Sequence, residues 1–142
     1  MRFSTHYLIK LFNLTRGDEM PKSKKEELTD LLKELENVGD IDGAAITTRD
    51  GLLVASRLPR DVNAETFAAM SATMYGAAET AVSELRKGAV KRVISEAEDC
   101  KLVAIDAGPT AALVALVRPE ANLGLVLMEI IKVANATKEL MK

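Results

Sequence analysis

Between Asn63 and Lys87 the chain reads NAETFAAMSATMYGAAETAVSELRK, a stretch without proline and rich in alanine that is long enough for one helix of about six turns. Placing residues about 100° apart gathers Phe67, Met70, Met74, Ala78, Ala81, Val82 and Leu85 into one stripe of mostly large apolar side chains. Such a stripe needs a sheet or another helix to cover it. A different side carries Ala69, Ala72, Thr73, Gly76, Thr80 and Ser83, all small and none charged. A solvated face normally carries Lys, Glu and Arg, and a mid-helix glycine costs about 1 kcal/mol against alanine, so a compensating contact is expected. Small side chains let a second helix approach closely. The spacing therefore predicts a helix-to-helix seam at these six positions, formed with another copy of the chain; an alanine-rich helix with a weakly polar outer face is the plainer alternative.

The rest of the chain supplies a sheet for the large stripe. Ser23-Lys24-Lys25-Glu26 fits a capping box and predicts a helix whose apolar side is Leu28, Leu31, Leu32, Leu35 and Val38, with Gly39 as its stop. From Ile41 the pattern becomes two strands divided by Arg49-Asp50-Gly51, a hairpin signal because Asp and Gly both tolerate positive φ. Leu58-Pro59 closes the second strand, Asn63 caps the long helix, and Gly88 ends it. Val90 to Ala97 reads as a charged edge strand, Lys101 to Ala107 as an alternating strand, and Ala111 to Val117 as a central strand with no polar position. Asn122 caps a last helix carrying Leu123, Val126, Leu127, Ile130, Ile131 and Ala134. The expected class is α+β, a five-stranded antiparallel sheet sandwiched by helices in the order α-β-β-α-β-β-β-α.

A chain of 142 residues suits one domain, expected over residues 22–142. Residues 1–21 stand apart as an arm with Phe3, Tyr7, Leu8, Leu11 and Leu14 at loose helical spacing, too short and too interrupted for a membrane span. Three readings stand for it: an amphipathic arm that docks on the domain or a partner, a loose extension, or sequence preceding a true start at Met20. A net charge of -2 and the lack of tryptophan argue against nucleic-acid binding. The lone Cys100 precludes an internal disulfide and suits a reducing cytoplasm, and with the lone His6 it is too little for an ordinary zinc site. A nucleophilic triad would have to use His6, outside the core pattern, and no phosphate-binding glycine loop precedes any helix. No catalytic, metal or cofactor site is expected. Arg49, Arg57 and Arg60 lie near one another in sequence around the hairpin and following loop, where basic side chains suit an acidic partner; solvated loop chemistry is the alternative.

Asp42-Gly43-Ala44-Ala45-Ile46, Asp50-Gly51-Leu52-Leu53-Val54-Ala55-Ser56, Phe67-Ala68-Ala69-Met70 with its alanine-rich helix, and Asn122-Leu123-Gly124-Leu125-Val126-Leu127 resemble, in order and spacing, the roadblock/dynein light chain family. The resemblance spans residues 23 to 140 and implies roadblock-like layers akin to those of profilin. It also implies a protein without enzymatic chemistry, a homodimer in which middle helices pair and third strands join two sheets, and a platform for a Ras-like small GTPase. A small-molecule sensor, with a pocket between sheet and helices, is the alternative from another class.

Overall fold

Each helix among the described residues starts at a side chain that accepts from one of its free amides. The structure, a computed structural model, describes residues 22–142; the arm expected over residues 1–21, with His6, lies outside the described residues. Helix α1 (Lys24–Glu36) opens with the Ser23 hydroxyl accepting from the Glu26 amide, and Leu28, Leu31, Leu32 and Leu35 form its buried side. Gly39 and Asp40, both at positive φ, turn the chain into β1 (Ile41–Thr48). A tight turn with Gly51 at φ +92 leads to β2 (Leu53–Arg57). Helix α2 (Ala64–Leu85) starts where the Asn63 side chain accepts from the Thr66 amide. It ends at Leu85, with Arg86 in the left-handed conformation, slightly before the stop expected at Gly88. Strands β3 (Arg92–Glu96), β4 (Lys101–Asp106) and β5 (Ala111–Val117) precede α3 (Leu123–Leu140), which Asn122 caps through the Leu125 amide.

The five strands form one antiparallel sheet in the order β2-β1-β5-β4-β3. The all-apolar β5 takes the middle, as its lack of polar positions requires, and β3 is an edge. Helices α1 and α3 share one face, where Leu28, Leu32 and Leu35 meet Ile46, Val103, Leu113 and Ile130 in the main core. Strand alternation sends Val114 and Ala104 to the opposite face, which α2 covers alone.

That second face corrects the expected stripe. The buried residues of α2 are Ala68, Ser71, Ala72 and Tyr75, whereas Met70 is 60% and Leu85 65% exposed. The helix is turned by about one residue step, about 100°, from the large stripe. The reason lies in the sheet: β-register sets Ala45 beside Val114 and Val114 beside Ala104, a shallow surface made mostly of alanine. Small helix residues let α2 sit low on it, and one large residue, Tyr75, fills the gap. Phe67 and Met74 then pack along the flank with Val90 and Val93.

Candidate functional site

From Gly76 to Leu102, half of a long helix, a loop and a whole edge strand, no residue is buried. Isolated elements of this kind gain little from burial, and regular structure is stabilised mainly by tertiary packing. Besides the β3–β4 ladder and the packing of Val90 and Val93, a polar knot at the end of β1 ties this region to the sheet. Arg49 donates to Glu79 of α2 at 3.1 Å and to the Gly108 carbonyl at 3.2 Å, and also pairs with Asp106 at the end of β4. Its guanidinium lies 4.9 Å from the centre of the Tyr75 ring. The Tyr75 hydroxyl donates to the Val90 carbonyl at 3.0 Å, tying the helix to the segment that leads into β3. Burial pushes the Tyr75 phenol above its ordinary pKa, with Arg49 pulling partly the other way. The Arg49 Nε is buried without a hydrogen-bond partner, so this knot is tight but not fully satisfied.

The six expected seam residues divide. Ala72 is on the buried side of α2 in the single chain. Ala69 receives the β1–β2 hairpin: a Cβ on Gly51 would come 3.2 Å from the Ala69 Cα. Thr73, Thr80 and Ser83 are exposed, and their hydroxyls donate to carbonyls of their own helix, to Ala69 at 2.8 Å, Gly76 at 3.1 Å and Thr80 at 2.7 Å. Those hydroxyls carry a hydrogen bond that survives loss of water, which lowers the cost of covering them. A Cβ at Gly76 would meet nothing within 4 Å, so the single chain itself does not require glycine there.

The three arginines are not brought together. Arg57 pairs in register with Ala44 near the start of β1 and bonds to Glu36 at 3.0 Å, whereas Arg49 follows the other end of that strand. Arg60 is exposed after β2 and makes no ion pair with a described residue. Sequence reading missed Tyr75, Glu79 and Asp106 because their meeting with Arg49 depends on strand order, for which no local signal exists.

Among the described residues no group of three or more His, Cys, Asp or Glu is placed to hold a metal ion, and no helix is long and apolar enough to cross a membrane. A groove of about 430 Å³ runs along α1, beside Lys22, Lys25, Glu26 and Asp30.

Fold and surface together define an α+β domain, one antiparallel sheet between helical layers, that leaves the outer side of one helix and one strand edge uncovered among the described residues. Residues 27–117 match the Roadblock/LC7 domain. Two uncharacterized proteins of Methanocaldococcus jannaschii, MJ0310 and MJ1340, are each 35% identical over 108 residues, covering 76% of this chain and 94% of theirs. The chain belongs to the Roadblock/LC7 family. Among solved structures, Myxococcus xanthus MglB superposes with a TM-score of 0.78 at 15% identity over 87% of this chain and 93% of its own. The structure described as MglB with tetrameric arrangement gives 0.77 at 21% identity, over 85% and 92%. Profilin IA of Acanthamoeba castellanii gives 0.58 at 14% identity over 84% and 100%, so the layers are shared with profilin.

Proposed function

We propose that this chain is a homodimeric regulatory platform without catalytic chemistry of its own, acting in the cytoplasm by binding a Ras-like small GTPase and altering its nucleotide cycle or location. The observation that carries the dimer is the run from Gly76 to Leu102 with no buried residue. A second copy offers what both parts of the run lack, a helix against the outer side of α2 and a strand against the free edge of β3. Gly76, open in the single chain, leaves room for that helix. The GTPase is supported by family membership and by the shared fold with MglB. Of the three arginines, Arg60 is the one left free to reach an acidic partner, since Arg49 and Arg57 are engaged within the chain.

The test is to purify the protein with the small GTPases of its source and follow nucleotide release and hydrolysis alongside light scattering of the mixture. A complex with a changed rate, weakened by Arg60→Glu, is expected. No complex and no rate change with any of them would sink the GTPase reading; GTP turnover by the protein alone would overturn its lack of catalysis.

A further inference from the structure

Where α2 gives way to β3 the chain reads Leu85-Arg86-Lys87-Gly88-Ala89-Val90-Lys91-Arg92, four basic side chains with no acidic residue among them in a protein whose net charge is -2. All four are exposed, and none makes an ion pair with a described residue. Arg86 at φ 52 and Gly88 at φ 99 turn the backbone, and the amides of Lys87, Gly88 and Ala89 donate to no described residue. Leu85 closes α2 directly before the bases and is 65% exposed. The far end is held: Val90 packs beside Tyr75, whose hydroxyl donates to the Val90 carbonyl at 3.0 Å.

The carboxylates nearby leave this charge largely uncancelled. Asp106 lies one step past the register pair of Arg92 with Ile105, beside Lys91, but Arg49 already engages it, as it does Glu79. Glu96 is four strand steps from Arg92, about 13 Å, and Glu98 and Asp99 follow it; that is beyond the Debye length of about 8 Å at physiological salt. Glu84 alone stands close, one carboxylate beside four bases.

We propose that residues 85–92 form a contact for an anionic membrane surface, with Arg86, Lys87, Lys91 and Arg92 at the level of the lipid phosphates and Leu85 entering the boundary below them. An exposed apolar side chain set among bases is the combination that such a boundary accommodates. Nucleic acid would use the bases but not the leucine, and the segment has no aromatic ring on which a base could stack. An acidic protein would need carboxylates spaced to match four side chains on one turn, whereas a fluid lipid surface adapts to them. Each base close to an anionic surface strengthens binding by about fivefold, and four together by on the order of several hundred-fold. This adds a place of action to the regulatory reading above, and it requires neither the GTPase nor a second copy.

The experiment is sedimentation of the full chain with vesicles of phosphatidylcholine alone or with one third phosphatidylglycerol, across a salt series. Binding is expected only with phosphatidylglycerol and should weaken as salt rises. The variant K87E/K91E should lose at least about 25-fold in partitioning. The variant K24E/K25E, with the same change in net charge at two exposed positions on α1, should stay within a few-fold of the parent. Leu85→Ala should weaken binding by a smaller factor and leave the salt dependence unchanged. Circular dichroism and the thermal midpoint confirm that each variant folds. Equal losses in K87E/K91E and K24E/K25E overturn the segment as the contact, because net charge then explains the binding. A parent that does not sediment with phosphatidylglycerol vesicles overturns the proposal, whether or not it binds duplex DNA or polyglutamate instead. Since no GTPase is present, that failure leaves the GTPase reading standing.

Discussion

Gly76 offers a perturbation whose sign differs between the chain alone and the pair. In the single chain a Cβ at this position has no neighbour within 4 Å, so Gly76→Leu meets no clash and gains helix propensity of about 0.8 kcal/mol. In a dimer whose helices cross near Gly76, the same side chain overfills the crossing. Overpacking costs about 1–3 kcal/mol at one site, and two-fold symmetry applies it twice, giving about 2–6 kcal/mol. The dissociation constant should therefore rise by at least on the order of 30-fold. Gly76→Ala should show the same helix gain with a smaller loss of pairing. Sedimentation velocity on a dilution series measures the pairing, and thermal unfolding at concentrations where all species are monomers measures the fold. The expected result is a variant that is more monomeric and no less stable as a monomer. A Gly76→Leu chain as dimeric as the parent at low micromolar concentration would refute the placement of the crossing, and a destabilised monomer would refute the reading of open space around Gly76.

Arg49→Met removes two half-exposed ion pairs, the stacking on Tyr75 and the donor to the Gly108 carbonyl, and should lower stability by about 1–3 kcal/mol in urea unfolding, with part of the difference fading as salt is added. An unchanged urea midpoint would mean that the knot is an incidental contact. Leu85→Ala should leave folding within about 0.5 kcal/mol, because Leu85 is 65% exposed, whereas Leu113→Ala, fully buried under α1 and α3, should cost about 2–5 kcal/mol; equal losses would restore Leu85 to the core.

Several features were legible in the chain because their causes are local. Ser23, Asn63 and Asn122 each accept from an amide three residues on, so a cap is readable from a handful of neighbouring letters. Asp50-Gly51 marks its turn in the same way, and the unbroken apolar run of β5 can lie only where both faces are covered. Element order and the antiparallel sheet follow from such short-range facts. The proposed surface was legible only in part: the sequence names a helix side and an edge strand, but two of the expected seam residues, Ala69 and Ala72, are packed within the chain, Ala69 against the hairpin and Ala72 buried.

What the sequence determined by itself, then, were the starts of the helices, the hairpin, the central strand and the lack of charge along one side of α2. Periodicity states that α2 has an apolar side and a small-residue side, but not which of them meets the sheet. That choice was made by the surface beneath: alanines on β1 and β4, set in register beside Val114, form a floor shallow enough for small helix residues to lie close, and Tyr75 fills the remaining space. The large residues Met70 and Leu85 were left outside as a result. Arg49 likewise found Asp106, 57 residues away, only because sheet order sets the ends of β1 and β4 on either side of β5. Both outcomes depend on the depth of a surface and the order of strands, and these exist only once distant segments have packed together.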